Sequence, residues 1–398
     1  MSAQSLSAYL KETYANEIAK LVPDSVQLLK RIPFKQDEKV GAHYLVPVQL
    51  TGEHGFSAGG SGLIALNAAL AHVASQASID PKQLILRSVI TYDQAARASS
   101  SKQAFQAWAD GKLIPMAESF NRRLEFNCLY GNSGLGTVES NTSGALLISL
   151  ATWAPGAFVG LEGAIVQAFT AVSGGSQHDG DLTITAVDVN ARTVTVSGTN
   201  SSVVANDILF IKGCRTLEMD GLNKVITATS SQFGIDPSAY SLWAGNSYSA
   251  GSAPLTMGKV QSAVAMAVNK GLDEEVIVLV SPGAFANLNS NEAALRQYGA
   301  AKNGENGFET LKFYSVNGMI EIVPSINVKQ GDAFVIPYKQ CMRVGSIDVT
   351  MKMPGMQSED LVLQVPDYNA YEMRMFTEQQ IFCRTPGKCV KITGIING

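Results

Sequence analysis

Charge is scarce in this sequence. Asp, Glu, Lys and Arg make up 16% of its 398 residues, against roughly 25% in an average soluble protein. A chain of this length has room for two or three domains and a sizeable core. It has few charges with which to keep a free surface wet, and one resolution is that other subunits cover much of that surface. Lys and Arg number 30 against 34 Asp and Glu, for a net charge of −4, and the only adjacent basic pairs are Lys30–Arg31 and Arg122–Arg123. Tight binding to nucleic acid needs a concentrated basic patch, which this dispersal excludes. No apolar run approaches the ~20 residues of a membrane span. Ser2–Leu10 lacks the apolar core of a secretion signal. The expectation is a cytoplasmically made protein, soluble until it assembles.

Catalytic signatures are missing too. Gly131–Gly136, GNSGLG, carries the glycines of a dinucleotide loop in the wrong order and comes after a helix rather than a strand. No phosphate-binding GxxxxGK[ST] occurs. Ser99–Lys102 matches SxxK without its partner motifs, and reads better as a helix start. The four histidines, His43, His54, His72 and His178, fall in a loop excursion and a turn, where a His-based triad has no ordered seat. Asp273–Glu275 reads as a solvated turn. The five cysteines, Cys128, Cys214, Cys341, Cys383 and Cys389, form no CxxC pair; Cys383 and Cys389 are close, but without a nearby His they make no zinc site. Reduced, buried thiols are expected, with no catalytic, cofactor-binding or metal-binding residues.

What is present is organised around Ser101–Gly131. Its apolar residues Phe105, Trp108, Leu113, Met116, Phe120, Leu124 and Cys128 recur mostly every three to five positions, one stripe on a helix. Asn121, Arg122, Arg123 and Glu125 fall mostly off the stripe. Ser99–Ser101 caps the start, Gly131 ends it, and Gly111 and Pro115 predict a kink or two helices in line. Ahead of it, Ser2–Leu21 reads as a short amphipathic helix. Tyr44–Leu50 alternates as a strand that Pro47 confines to an edge or a protruding hairpin. Gly52, Gly55, Gly59, Gly60 and Gly62 loosen the return leg after it. Leu63–Ser78 is helical or semi-extended, and Gln83–Tyr92 is a returning strand. Such a low-charge excursion suits a neighbour's surface better than its own domain.

After the helix, Asn132–Ser143 reads as a glycine-rich loop and Trp153–Ala171 as a helix. From Ser173 to Ala253 the composition shifts to short β segments. Leu182–Val187 and Val194–Val196 form a hairpin, Asp207–Lys212 a third strand and Lys224–Thr229 a fourth. Leu255–Lys270 is a helix, Glu275–Val280 a buried strand, and Pro282–Asn289 a helix with Pro at its first position. From Thr310 onward strand succeeds strand. The class is α+β with an antiparallel tail.

Several phrases along this layout carry a resemblance. They are Tyr44–Val48 with Gly52–Phe56, Leu124–Val138 (LEFNCLYGNSGLGTV), Glu218–Asn223 (EMDGLN) and Val278–Phe285 (VLVSPGAF), then Gly345–Val349 (GSIDV), Asp367–Phe382 and Pro386–Ile395. In this order and spacing the chain resembles the HK97-fold major capsid proteins of tailed double-stranded DNA phages. The resemblance implies an N-terminal arm (1–39), an extended E-loop and its return (40–99), and a spine helix of the peripheral domain (100–131). An axial domain comes next in two parts (132–172 and 254–350), interrupted by a β-rich insertion domain (173–253), and the last strands return to the peripheral domain (351–398). It implies subunit contacts through the E-loop at Tyr44, Val46, Pro47, Gly52, His54 and Phe56, and spine packing by Phe105, Trp108, Met116, Phe120 and Leu124. It also implies a structural, non-enzymatic shell protein of the virion, assembled in the host cytoplasm. Copies would form hexamers and pentamers of an icosahedral shell around double-stranded DNA held without sequence-specific binding and without a membrane.

Some members join subunits by a Lys–Asn bond; Lys35 and Lys39 lie near the loop, but no matching motif is present and no crosslink is expected. The excursion begins by Val40, which leaves no room for a fused scaffold, so a separate scaffolding protein and a portal are expected partners. A cement protein is left open. Two other readings stand beside this one: an encapsulin-like bacterial compartment shell, and a mixed α/β enzyme with a β insertion.

Overall fold

A computed structural model describes residues 26–35, 39–40, 43–92, 102–290, 311–315, 318–351, 363–365 and 368–397. The amphipathic helix expected over Ser2–Leu21 lies outside them. Strands β1 (Phe34–Lys35), β2 (Lys39–Val40), β3 (His43–Gln49), β4 (Ala74–Ile79) and β5 (Lys82–Thr91) precede helix α1 (Lys102–Tyr130). Then come β6 (Gly136–Thr142), β7 (Ala145–Ile148), the single turn α2 (Pro155–Phe158), β8 (Ile165–Phe169), β9 (Gln177–Asp188), β10 (Thr193–Ser197) and β11 (Ile208–Ile211). Helix α3 (Leu222–Thr227), β12 (Asn246–Ala253), α4 (Met257–Val268), β13 (Val276–Val280) and α5 (Pro282–Ser290) are next. The chain closes with β14 (Leu311–Ser315), β15 (Gly318–Pro324), β16 (Ala333–Ile336), β17 (Cys341–Thr350), β18 (Leu363–Gln364), β19 (Ala370–Cys383) and β20 (Val390–Ile395).

Helix α1 runs as one helix through Pro115, so of the two expectations there the pair of helices in line does not hold. Pro115 is on the exposed side, where water can take the bond that its missing N–H gives up. The stripe holds over the second half, with Leu113, Met116, Phe120, Leu124 and Cys128 all buried. Asn121 and Glu125 are buried as well, so the polar face expected there is narrower than its residue types imply.

Strands β6 to β11 close into a six-stranded antiparallel barrel in the order β10-β7-β6-β11-β8-β9. Alternate residues fill it, among them Val138, Leu146, Val166, Leu182, Val194 and Leu209. This corrects three expectations. Asn132–Ser143 is largely a strand rather than a loop. Trp153–Ala171 is a turn and a strand rather than a helix, because Gly160 and Gly163 take positive φ (75° and 87°) and break any helix between them. The boundary at 173 therefore falls inside the barrel. Lys224–Thr229 is not a strand either: Leu222, Val225 and Ile226 bury one face of α3 at helical spacing.

Among the described residues, a three-stranded sheet β2-β3-β4 and two larger open sheets stand beside the barrel. In the six-stranded sheet β12-β20-β16-β13-β15-β14, every residue of central β13 is buried. Its core includes Val260 and Val264 of α4 and Ala284 and Leu288 of α5. The five-stranded sheet runs β1-β17-β19-β18, with β5 also on β19, in register from Ala370↔Thr91 to Gln379↔Lys82. The last strands thus divide. β19 joins this sheet, while β20 pairs with β12 and β16 in the other. β17, expected on the axial side, pairs with β19.

Candidate assembly surface

Strands β3 and β4 pair as an antiparallel hairpin from Tyr44↔Ile79 to Gln49↔Ala74, and residues 51–73 reach beyond it. The base is fastened to its own chain. Tyr44 (2% exposed), Val46, Leu50, Ala77 and Ile79 share a core with Trp243, Met342, Val344 and Phe382. The Ser78 amide donates to the Phe233 carbonyl at 2.9 Å. Tyr44 and Val46, expected as contacts between subunits, are therefore internal; the alternation that marks the strand is the signature of its own core.

Beyond the base the chain presents apolar groups to solvent. Phe56 is 85% and Leu66 84% exposed, with Leu63 and Leu70 also exposed. Pro47, Gly52 and His54, the other expected contact residues, are exposed as well. A few local bonds shape the tip. His54 and Leu70 exchange two backbone hydrogen bonds (2.9 and 3.0 Å), and the Asn67 side-chain amide donates to the Phe56 carbonyl at 2.7 Å. So many large apolar side chains on one excursion mark an interaction surface. The outer face of the five-stranded sheet offers a shallow groove of about 190 Å³ lined by Ile85, Ile347, Phe376 and Arg374 among others.

Behind this surface, Met116, Phe120 and Leu124 of α1 are buried, whereas Phe105 and Trp108 have side chains outside the described ones. Glu125, fully buried, accepts backbone N–H bonds from Gln27 (2.9 Å), Leu28 (3.0 Å) and Leu29 (3.1 Å). Burial pushes its carboxyl up, outweighing those three donors and Arg31. No spacing rule singles out such a residue; the only hint is a carboxylate one step off a stripe.

Two of the sequence phrases meet at the helix end. A Cβ on Gly131 would stand 2.1 Å from the Met219 carbonyl oxygen, and one on Gly221 would stand 2.6 Å from the Gly131 nitrogen. Asn132, at φ 57°, donates from its amide to the Glu218 carbonyl at 2.7 Å. The glycines of GNSGLG and EMDGLN thus serve backbone contact, not phosphate binding.

A polar cleft of about 740 Å³ opens beside this junction. In it the Lys329 ammonium donates to the Gly134 carbonyl at 3.0 Å and sits over the Tyr130 ring at 4.6 Å. Tyr130 donates to Asp332 at 3.1 Å, and Lys391 pairs with Asp332 at 3.1 Å. Burial pushes the Lys329 ammonium down to about 8. These polar groups are engaged with one another, and no nucleophile among them stands beside a base.

No family model and no curated protein matches the sequence. Solved structures do. The capsid asymmetric unit of cyanophage A-1(L) is similar over 92% of this chain and 91% of its own, with a TM-score of 0.50 and 11% identity. The chain has the HK97-like capsid fold. A capsid of an empty GTA particle matches over 94% of this chain and 91% of its own (TM-score 0.49, 9% identity). The SrpI encapsulin of Synechococcus elongatus PCC 7942 matches over 98% and 94% (TM-score 0.43, 8% identity).

Proposed function

We propose that this chain is the major capsid protein of a tailed double-stranded DNA phage. It assembles into hexamers and pentamers that tile an icosahedral shell around the genome. The observation that carries this reading is the excursion 51–73, an apolar tip on a base anchored in its own core, within a capsid fold. A second copy is its occupant. Tip side chains such as Phe56 and Leu66 cover the outer sheet face of an adjacent subunit, where Ile85 and Val89 are exposed. Many such contacts, each modest, add up in a closed symmetric assembly. In this reading residues 1–39 are an arm, 40–99 the E-loop and its return, and α1 the spine; the barrel takes the place expected of a β-rich insertion. The net charge of −4 fits a wall that encloses DNA without gripping it. A separate scaffolding protein and a portal complete the assembly.

The test is size exclusion and negative-stain microscopy of the recombinant protein, with and without its scaffold. Closed particles, tubes or sheets of capsomers are expected. Deleting Gly52–Gly60 is expected to leave a folded subunit that makes no stable capsomers. Normal assembly by the deleted protein, or a monomer under every condition from the intact one, overturns the reading. Packaged DNA in particles made during infection separates it from an encapsulin-like shell, which encloses protein cargo instead.

A further inference from the structure

The chain crosses between its two larger open sheets twice in its last third. Residues 337–340 lead from β16 into β17, and 384–389 lead from β19 into β20. The crossings touch: the Arg384 amide donates to the Gln340 carbonyl at 3.0 Å. Three of the five cysteines sit on them, Cys341 where the first crossing enters β17, Cys383 where the second leaves β19, and Cys389 where it reaches β20. Cys341 and Cys383 are direct register partners. All three are buried, their sulfurs lie within 4.8 Å of one another, and Cys383 Sγ and Cys389 Sγ are 3.5 Å apart. The sequence shows only the six-residue spacing of Cys383 and Cys389; the sheet pairing brings in the third thiol.

The geometry points to a metal site: Cys341, Cys383 and Cys389 bind one thiophilic d10 cation, zinc or copper(I), as three thiolates. Sulfurs about 2.3 Å from a tetrahedral zinc lie roughly 3.8 Å from one another, close to the spacing here. Soft thiolate ligands select these two metals over harder cations. Copper(I) is satisfied by three sulfurs. Zinc needs a fourth donor, and as no His or carboxylate among the described residues joins the three sulfurs, a water would complete its shell. The Thr385 backbone N–H already donates to Cys383, a bond of the kind that supports a metal-bound thiolate. Binding forms three metal–sulfur bonds and releases the three thiol protons to solvent, with no change of oxidation state. The metal enters as the crossings close during folding, and once bound it pins the two sheets to each other.

The test uses the full-length protein purified without oxidation, from cells grown with added zinc and, separately, with added copper. Metal per chain is measured by mass spectrometry after a wash with a weak chelator. About one equivalent of zinc or copper is expected, retained in Cys214→Ser and lost in Cys389→Ser. Because a serine in this core risks unfolding the chain, the deciding measurement needs no variant. Protein refolded with cobalt(II) is expected to show thiolate-to-metal charge-transfer absorption, and a strong chelator to abolish it. Protein that is metal-free after both growths and lacks that absorption overturns the proposal. So does mass-spectrometric detection of a disulfide within the triad in place of metal. These outcomes are independent of whether the chain forms shells.

Discussion

From Leu113 to Tyr130, helix α1 hides its apolar stripe inside its own chain, and even the carboxylate of Glu125 is satisfied there by three backbone donors. From 51 to 73, the excursion leaves Phe56, Leu63, Leu66 and Leu70 in water. Both stretches are rich in apolar side chains, and what separates them is closure. The helix meets strands from both ends of the sequence, while the tip meets little but itself. The apolar tip is what the proposed shell function assigns to contact with another copy.

That contrast can be broken from the inside first. Leu124→Pro removes a helix hydrogen bond and clashes with the preceding turn, at about 3 kcal/mol or more, in addition to the loss of a fully buried side chain. Insoluble protein and no shells are expected, read as the soluble fraction after expression. Glu125→Ala takes the acceptor from the buried N–H groups of Leu28 and Leu29 and empties a fully buried site. A loss of about 3–5 kcal/mol is expected from the urea midpoint of the subunit.

A smaller effect comes from Lys329. Its folded value of about 8 lies below the ordinary 10.5. Below pH 8 both folded and unfolded states carry the proton, and the cost of the buried charge is fully present. Between pH 8 and 10.5 the unfolded state holds more proton, so stability rises with pH, by up to about 3 kcal/mol from this group. Lys329→Met is expected to flatten that rise in urea titrations at successive pH values. The smallest effect on stability, and the sharpest statement of the contrast, comes from the tip. Phe56→Ser with Leu66→Ser is expected to shift subunit stability by no more than about 0.5 kcal/mol while shell formation, followed by light scattering, is lost.

The spine, the excursion and nearly every strand after Thr310 are legible in the sequence because their signals are local: a stripe, a run of glycines, alternating apolar residues. The barrel is harder to read. Its first strand, Gly136–Thr142, carries Glu139, Ser140, Asn141 and Thr142, a composition that reads as loop until partners on both sides close it. Ile165–Phe169 has apolar residues at a spacing that a helix could use, and only the positive φ of the preceding glycines decides. At the assembly surface Gly52, Pro47 and Phe56 are exposed, but Tyr44 and Val46 are not. An alternating strand shows that one face is buried without showing against whom. The cysteine triad is illegible for a similar reason, since Cys341 is brought to Cys383 by a sheet register that no spacing encodes.

The order in which these parts pair has a consequence for synthesis. β1 lies on β17, β5 lies on β19, and the hairpin base packs on Met342 and Phe382. A ribosome making about 5–20 residues per second exposes the excursion long before the strands that anchor its base exist. Half-made chains therefore carry the adhesive tip without the platform that aims it, and the platform is complete only when the final strands emerge. Under the proposed shell function, synthesis of β17 and β19 is therefore the step that gives the tip a fixed base from which to bind a second copy. Protease protection of the 43–79 hairpin is expected to appear in arrested chains only once residue 383 has left the ribosome.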